Sequence, residues 1–301
     1  MRLKGWRSWA TLSETTRPAV MTKRTILKTA AGVLFLVVSI AVLESLAQEF
    51  EGGRQRRRGD VYYRTTPEWQ LDPKFTNDCF TFVRIKYQST RNSSSSAWWT
   101  DFPDADNNLS WRLHQLTAMK VAPEPKQFDI MDPELLKYPF AFMSGVPTIV
   151  ISDEEAEQLR KYMMGGGFIM VDDFWGERNW EHFETEVLKR VFPERTWEEL
   201  PIEHGIFNCV FPLKEKPQIP NVGFATRMRG TGITWEVEDG ETPHYRGIKD
   251  DKGRLMMLIC HNTDLGDGWE EEATDPYYFE EFSEKKAYPL GINIVFYVMT
   301  H

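Results

Sequence analysis

The sequence has few cysteines, and their spacing excludes the usual metal and redox motifs. Cys79, Cys209 and Cys260 are the three in the chain, and no C-x-x-C pair occurs. The sequence therefore predicts neither a zinc knuckle nor a thioredoxin-type motif. Apolar neighbours surround all three, which predicts small buried side chains. The alternative is a disulfide between one pair in an oxidising compartment.

The sequence also lacks the glycine motifs of nucleotide-binding proteins. Gly165, Gly166 and Gly167 stand before an apolar run instead of after one, and no Lys-Ser or Lys-Thr pair follows them. This order excludes a phosphate loop and a dinucleotide fingerprint. We expect the three glycines to end a helix, with Gly165 as a left-handed C-cap, and to form a tight turn.

Positive charge is in deficit. The chain has 36 Lys and Arg residues against 45 Asp and Glu residues, which gives a formal net charge of −9. A negative protein repels phosphate backbones, so nucleic acid is a poor partner despite the basic run at residues 54–58. The sequence identifies no cofactor, no metal and no protein partner.

No apolar run near the N terminus reaches the roughly 20 residues that a membrane-spanning helix needs. The run from Ala30 to Leu43 has about 14 residues, follows a basic stretch at 23–28 and precedes Ser45-Leu46-Ala47, as in a secretory signal peptide. We expect cleavage after Ala47 and export to the periplasm or cell envelope. The alternative is an uncleaved anchor, and in either case this segment is the expected contact with a membrane.

The remaining chain is predicted to be one globular domain. We interpret residues 1–47 as the signal peptide, 48–59 as a basic linker and 60–301 as a single domain. Met21 directly precedes the signal pattern, so a start at this residue is an alternative in which residues 1–20 are not translated. The signal contains seven Lys and Arg and two acids, so the mature chain would have a net charge of −14. A hydrophobic content of 41% suffices for a sizeable core.

Strand and helix patterns alternate along this domain. Strands are predicted at "CFTFVRIKY", "FDIM", "PFAFMSG", Phe168–Val171 and "RLMMLIC". Helices are predicted by apolar residues at helical spacing. The three groups are Leu109, Leu113 and Leu116 with a cap at Asn107 or Asn108; Ala156, Leu159 and Met163 after a Ser152–Glu155 capping box; and Trp180, Phe183, Val187 and Val191. The alternation predicts a three-layer, flavodoxin-like α/β fold with a mostly parallel sheet and loop-rich insertions.

Alternation within the first predicted strand separates an apolar face from a basic one. Val83, Ile85 and Tyr87 alternate with Arg84 and Lys86, which is typical of a strand.

Polar residues directly follow three of the predicted strands. The pairs are Ser144-Gly145, Asp172-Asp173 and His261-Asn262. Because the carboxyl ends of parallel strands share one edge of a sheet, where open α/β folds bind ligands, we expect these pairs to be neighbours. Asp264 lies a short distance after the last pair and offers a further oxygen ligand.

The two adjacent aspartates are expected to have different roles. Side chains alternate in direction on extended chain, so Asp172 and Asp173 cannot face one ligand unless the backbone turns. One is expected to accept backbone N–H groups, and the other is a candidate general base, metal ligand or hydroxyl acceptor. His204 and His261 are candidate acid–base groups. The segment "NTDLGDG" is only loosely similar to a calcium loop and is interpreted as a turn.

Several long stretches together resemble a bacterial family of domains of unknown function, number 4159. They are "FTFVRIKY", "WWTDFPDADNNLSWRL", "YPFAFMSG", "LRKYMMGGGFIMVDDFWG", "LPIEHGIF" and "NTDLGDGWE". The resemblance runs from Asp60 to the C terminus. It implies a fold of the class I glutamine amidotransferase-like type, and the family has no established activity.

The resemblance also bears on chemistry. In amidotransferases of this fold the strand that corresponds to Phe168–Val171 leads into a turn with a nucleophilic cysteine, whereas this chain has "VDDFWG" there. Glutamine hydrolysis through a thioester is therefore not expected. Related trehalose-utilisation domains have a His-Pro-Ile segment, which "HGIF" resembles except that Gly205 replaces the proline.

Two functions fit these observations. The favoured one is a non-catalytic exported domain for assembly or for binding a sugar-like, small-molecule or peptide ligand. Its candidate ligand-binding residues are Ser144, Gly145, Trp175, Asn262, Asp264 and Trp269, with Trp98 and Trp99 as further aromatic contacts. The alternative is a hydrolase in which Asp172 or Asp173 acts with His204 or His261, with or without a metal.

Overall fold

The protein is described by a computed structural model, which covers residues 66–75, 78–90 and 97–301. The predicted signal peptide at 1–47 and the predicted linker at 48–59 lie outside the described residues and remain predictions.

The described strands form a seven-stranded and a two-stranded sheet. They are β1 Val83–Lys86, β2 Gln88–Ser89, β3 Lys126–Asp129, β4 Phe140–Ser144, β5 Ile149–Val150, β6 Phe168–Asp172, β7 Glu198–Glu199, β8 His244–Lys249 and β9 Leu255–His261. The larger sheet has the order β3-β1-β4-β6-β9-β8-β7, and β2 pairs with β5 in the smaller one. The strands from β3 to β9 are parallel, whereas β8 and β7 are antiparallel to their neighbours. Numbered in chain order, the five parallel strands are therefore arranged 2-1-3-4-5.

Helices connect and cover these strands. The α-helices are α1 Asp104–Leu116, α2 Asp153–Met164, α3 Glu177–Phe183, α4 Lys189–Val191, α5 Val222–Arg227, α6 Leu265–Glu270, α7 Pro276–Tyr278 and α8 Tyr288–Thr300. Two π-helical segments, Glu184–Leu188 and Phe279–Ala287, make α3 continuous with α4 and α7 continuous with α8. Short 3-10 helices span Pro73–Phe75, Ala97–Trp99, Pro133–Lys137, Val146–Thr148 and Gly205–Phe207.

The central strand β6 shows why the sheet has helices on both faces. Phe168 and Met170 belong to one buried cluster, which also contains residues of α1 and α8. Ile169 and Val171 belong to the other, which contains residues of α2 and α3. A continuous apolar strand buries side chains on both faces, so this sequence requires cover on each side. The predicted α/β class with a mostly parallel sheet is confirmed.

The second helix has the predicted start. The Ser152 hydroxyl accepts a hydrogen bond from the Glu155 backbone N–H at 3.1 Å, and the Glu155 carboxylate accepts one from the Ser152 N–H at 2.8 Å. Together they satisfy two N–H groups that the helix itself cannot pair. The predicted buried stripe of Ala156, Leu159 and Met163 is also confirmed.

Three local predictions were wrong. Helix α1 begins at Asp104, so Asn107 and Asn108 lie inside it and are buried instead of capping it. Leu116, predicted to be buried, is 59% exposed in the last turn of the helix. Gly166, with φ of 111°, has the left-handed conformation that was expected of Gly165.

The cysteines follow the prediction only in part. All three are free, and Cys260 is fully buried in β9. Cys79 is half-buried, and Cys209 is exposed, which contradicts the expectation of a buried side chain. Cys209 follows a 3-10 helix on the surface, so apolar neighbours in the sequence did not indicate burial there.

Among the helices that the structure describes, none combines the length and the apolar character needed to cross a membrane.

Candidate functional site

Acidic side chains from three strand ends converge at the carboxyl edge of the parallel sheet. Asp101 follows β1, Asp172 and Asp173 stand at the end of β6, and Asp264 and Asp267 follow β9. Because β1, β6 and β9 run in the same direction, the segments after them emerge on the same side of the sheet. We refer to these five residues as the acid cluster.

Asp101 is held against neighbouring backbone. Its φ is 63°, and the residue is 7% exposed. The Ser144 hydroxyl donates to its Oδ2 atom at 3.3 Å. On the other side lies Gly266, where an added Cβ would come within 2.1 Å of the same oxygen. Only glycine therefore permits this approach of the Asp101 carboxylate to helix α6.

The two aspartates of β6 have different surroundings. Asp172 is fully buried, and its Oδ2 atom accepts the Gly266 N–H at 2.8 Å. Its Oδ1 atom is buried without a hydrogen-bond partner among the described residues. Asp173 is half-buried and has a φ of 58°, so the backbone turns sharply at this residue. The backbone turn that was the condition for both carboxyl groups to face one ligand is therefore present at Asp173.

The segment after β9 carries the remaining acids. Asp264 caps helix α6, since its Oδ1 atom accepts the Asp267 N–H at 2.8 Å. The Oδ2 atom of Asp267 accepts the Val222 N–H at 2.7 Å. One carboxylate oxygen from each of Asp101, Asp267 and Glu270 lies within 4.8 Å of the other two. The loop after β1 and helix α6 after β9 thus place their carboxylates close together.

Crowding and burial raise the proton affinity of the whole cluster. Burial raises the pKa of Asp101, Asp172 and Asp264 well above the usual carboxyl value, and the charge of Asp173 raises all three further. Burial also raises the pKa of Asp173 to about 6 and that of Asp267 to about 8. At neutral pH the cluster therefore cannot hold all of its negative charges unless a positive charge joins them.

A buried arginine lies close to the cluster. Arg84 is fully buried, because a parallel strand in the sheet interior has no solvent-facing side. Its guanidinium binds Asp106 with contacts of 2.5 to 3.1 Å, and it also donates to the backbone carbonyls of Trp98 and Thr100 at 3.1 and 2.5 Å. Arg84 thereby fixes the segment that leads into Asp101.

Residues 98–102 carry a cluster of three aromatic side chains, Trp98, Trp99 and Phe102. The ring centroids of Trp98 and Trp99 are 5.0 Å apart, and those of Trp99 and Phe102 are 4.7 Å apart. Trp98 and Phe102 are half-buried, whereas Trp99 is 49% exposed. An indole with half of its surface in water, two residues before a buried carboxylate, is a suitable contact for a ligand.

His261 faces the other side of the sheet from Asp172. It follows Ile259 by two residues, and its ring lies 4.8 Å from Phe174 and 5.6 Å from Trp180 in centroid distance. Arg246, which can only donate, contacts the Nδ1 atom at 3.1 Å, so the Nε2 atom carries the proton and donates to the Gly176 carbonyl at 3.1 Å. Burial lowers the pKa of His261 to about 4. The ring is a neutral part of the core at this end of the sheet.

His204 lies near the opposite end of the sheet. Its ring stacks near Tyr297 with a centroid distance of 5.1 Å, and its Nδ1 atom accepts the Ile206 N–H at 3.4 Å. Burial lowers its pKa, and the nearby charge of Lys249 lowers it further. Lys249 pairs with Leu255 at the start of β9, so the structure does not bring His204 to the acid cluster.

Two predicted ligand-binding residues support the turns at the edge. Gly145 has a φ of 65°, and its N–H donates to the Asp172 carbonyl at 3.2 Å. Asn262, with φ of 60°, accepts the Gly176 N–H at 2.8 Å and donates to the Thr242 carbonyl at 2.9 Å. In the structure, Gly145 joins the turn after β4 to the end of β6, and Asn262 joins the turn after β9 to the segments of Gly176 and Thr242.

The two predicted tryptophans after the strands are buried. Trp269 has no solvent exposure and donates to the Ala287 carbonyl at 3.0 Å. Trp175 is 8% exposed, and its indole N–H has no partner among the described residues. Both side chains therefore belong to the protein interior. Trp99, by contrast, is 49% exposed and lies beside the acid cluster.

Sequence reasoning missed Asp101, Asp106, Arg84 and Glu270. Asp101 had a usable signal, because the rule that examines residues after each strand also applies to the first strand. A long polar loop between β1 and α1 concealed it. Glu270 lies one turn after Asp267 on α6, and its position became visible only once "LGDGWE" was known to be helical.

A profile of the family described as "Domain of unknown function (DUF4159)" matches residues 81–299 of the chain. A comparison with curated proteins found no match. The matched range contains all seven strands of the larger sheet and every member of the acid cluster.

Proposed function

We propose that this chain, which belongs to the DUF4159 family, is an exported, non-catalytic domain that binds a hydroxyl-rich ligand such as a glycan at the carboxyl edge of its sheet. The binding surface would consist of the exposed Trp99 ring and the accessible parts of the acid cluster. Ser144 would assist by orienting Asp101.

The observation that carries this proposal is the fixed position of Trp99 beside the acids. Arg84 holds the carbonyl groups of Trp98 and Thr100, which flank the exposed indole. An exposed aromatic ring that is anchored in this way loses little conformational freedom when a ligand binds. Its exposure is not explained by packing, because its neighbours Trp98 and Phe102 are covered to a greater extent.

Carbohydrate chemistry suits this combination of groups. The face of an indole packs against the C–H groups of a sugar ring, and carboxylates accept hydrogen bonds from its hydroxyls. A partly buried carboxylate strengthens such hydrogen bonds, because the local dielectric constant is lower than in water. A highly anionic ligand is disfavoured by the charge of the acid cluster.

The hydrolase alternative receives less support from the site. It requires a histidine near Asp172 or Asp173, and the contacts of His261 and His204 are with other groups. A thioester mechanism would require a cysteine in the turn after β6, where Asp173 stands.

We infer further that the fold is of the flavodoxin type, as the resemblance to class I glutamine amidotransferase-like domains implied. Support comes from the 2-1-3-4-5 order of the parallel strands, which is the flavodoxin-like order. In that order the direction of winding reverses between β1 and β4. Ser144 at the end of β4 and Asp101 after β1 flank this position.

The proposal is tested by probing an oligosaccharide array with the mature protein and titrating the best ligand by tryptophan fluorescence. Trp99→Ala is expected to weaken binding by about tenfold or more, since one well-packed aromatic contact is worth roughly 1–3 kcal/mol. The control is Met164→Ala, which removes an exposed apolar side chain at the end of α2. Absence of any glycan ligand, or equal effects of the two substitutions, would refute the proposal.

A further inference from the structure

The geometry points to a binding site for a hard divalent cation formed by Asp101, Asp267 and Glu270. The inference is independent of the proposed glycan ligand, because it concerns the acids alone. A cation bound here would lie beside the segment that carries Trp99.

The separation of the carboxylate oxygens fits a single ion. Two oxygens on one Ca²⁺ can be no farther apart than twice the metal–oxygen distance, about 4.6–5.2 Å. The oxygens of Asp101, Asp267 and Glu270 lie within 4.8 Å of one another. The corresponding limit for Mg²⁺ is about 4.0–4.2 Å, so Mg²⁺ can require a small inward movement of the side chains. The spacing is therefore compatible with Ca²⁺ and, after such a movement, with smaller ions.

A second observation also indicates a missing partner at this place. Asp172 has no solvent exposure, and its Oδ1 atom has no hydrogen-bond partner in the described part of the chain. Its Oδ2 atom binds the Gly266 N–H, and the Asp101 carboxylate packs against the same glycine. Ser144, which donates to Asp101, pairs in register with Asp172 on the adjacent strand. The Asp172 carboxyl group thus neighbours Asp101 through Gly266 and Ser144, and a metal-bound water would satisfy its unpartnered oxygen.

The proposed ligands are oriented by other groups. The Val222 N–H holds one oxygen of Asp267, and the Ser144 hydroxyl holds one oxygen of Asp101. Hydrogen bonds of this kind fix the orientation of metal-ligating side chains and reduce the entropy that they lose when the metal binds. Glu270 is half-buried and gives the site a side open to solvent.

The chemistry of the donors defines the class of metal. All three donors are carboxylates, and oxygen ligands favour Ca²⁺, Mg²⁺ or Mn²⁺ over metals that prefer nitrogen and sulfur. The nearest buried cation, Arg84, is engaged by Asp106 and by two carbonyls. Its single charge is already paired with one carboxylate and does not balance the five acids of the cluster.

The test is a calorimetric titration of metal-free mature protein with Ca²⁺, Mg²⁺ and Mn²⁺, without any glycan present. Ca²⁺ is expected to bind at one site with a dissociation constant of about 1 mM or below, the range of extracellular calcium modules. It should also raise the melting temperature, by an amount that grows with the logarithm of its concentration above the dissociation constant. Displacement of Tb³⁺, detected by its luminescence, provides a second measure of occupancy.

Two substitutions and one control identify the ligands. Glu270→Gln and Asp267→Asn retain side-chain size and are each expected to weaken Ca²⁺ binding by about tenfold or more. Glu270 is half-buried, so its variant is expected to fold, and its melting temperature without metal verifies this. Glu271→Gln removes the same charge at the adjacent position and should change affinity by less than about twofold.

The inference would be overturned by the absence of any Ca²⁺, Mg²⁺ or Mn²⁺ binding up to about 10 mM, a concentration above that needed by weak calcium modules. Equal weakening by Glu270→Gln and Glu271→Gln would also overturn it, because general charge attraction would then explain the affinity. Glycan binding that survives while metal binding is absent would refute the cation site alone. Metal binding without any glycan ligand would refute the proposed function alone.

Discussion

Arg84 and Asp106 form an ion pair in which neither side chain is exposed to solvent. The Nε atom of Arg84 lies 3.1 Å from both carboxylate oxygens, and an Nη atom lies 2.5 Å from one of them. The same guanidinium holds two carbonyls of the aromatic segment. The pair therefore joins strand β1, helix α1 and the proposed binding surface.

Removal of Arg84 is expected to be strongly destabilising. Arg84→Met leaves Asp106 buried without its partner, and loss of one member of a buried pair costs about 3–5 kcal/mol. The double variant Arg84→Met with Asp106→Leu should recover a large part of this loss, because no buried charge remains. Urea unfolding of both variants measures the difference. A double variant as unstable as Arg84→Met would show that loss of the carbonyl contacts, and not the unpaired charge, dominates.

The two aspartates of β6 are expected to respond differently to substitution. Asp172→Ala removes the acceptor of the Gly266 N–H and should cost about 1–3 kcal/mol. Asp173→Asn should leave stability unchanged or raise it, because it reduces crowding of charge and Asn tolerates a positive φ. Asp172→Asn keeps an acceptor and is the matched control for charge. Denaturant midpoints decide the matter, and similar losses in Asp172→Ala and Asp173→Asn would contradict it.

His261 is expected to make stability depend on pH in the acidic range. Its pKa is about 4 in the folded protein against 6.5 for an ordinary histidine, so the unfolded chain binds the proton first. The contribution of the neutral ring is thus complete above pH 6.5 and is lost as the pH falls towards 4. The loss amounts to about 3 kcal/mol. The difference in unfolding free energy between the wild type and His261→Gln should shrink accordingly, and a constant difference from pH 7 to pH 4 would oppose this interpretation.

Gly266 is expected to be intolerant of even a methyl group. Gly266→Ala places a Cβ 2.1 Å from the Asp101 carboxylate oxygen, so this buried carboxylate has to leave its position and its contact with Ser144. Such overpacking costs about 1–3 kcal/mol. Gly223→Ala is the control, because an added Cβ there meets only an Asn221 oxygen at 3.4 Å and alanine favours helix α5. Thermal melting of both variants is the measurement, and equal shifts would argue against close packing at Gly266.

The predicted signal peptide gives a test that does not depend on the fold. Cleavage after Ala47 predicts that native protein from the cell envelope begins at Gln48. N-terminal sequencing or intact mass measurement determines this residue. A cytoplasmic protein that retains residues 21–47 would remove the oxidising compartment and the export step from the proposed function.

Sequence patterns correctly identified the structural features that depend only on residues close together in the chain. The Ser152–Glu155 capping box and the helical spacing of Ala156, Leu159 and Met163 each depend on residues a few positions apart, and both predictions were correct. The uninterrupted apolar run of β6 indicated cover on both faces. Such patterns depend on residues within one helix or strand, so they can be recognised without knowledge of the tertiary contacts.

Burial of polar groups was not predictable in the same way. Alternation in β1 did not indicate that Arg84 is buried, because a period of two separates buried from exposed residues only when one face of the sheet is in contact with water. Its acceptors are Asp106, 22 residues later, and two loop carbonyls. The proximity of Asp101 to Asp267 depends similarly on the pairing of distant strands. Tertiary contacts of this kind leave little trace in a single sequence.

The position of β9 has a consequence for the order of events during synthesis. This strand lies between β6 and β8, yet it is the last strand to leave the ribosome. Until it arrives, one edge of β6 has no parallel partner, and Asp264, Asp267 and Glu270 are absent. An incomplete chain thus exposes an apolar strand edge that can pair with other chains. If the chain is exported as proposed, a chaperone that keeps this edge covered until translocation is complete would prevent such pairing.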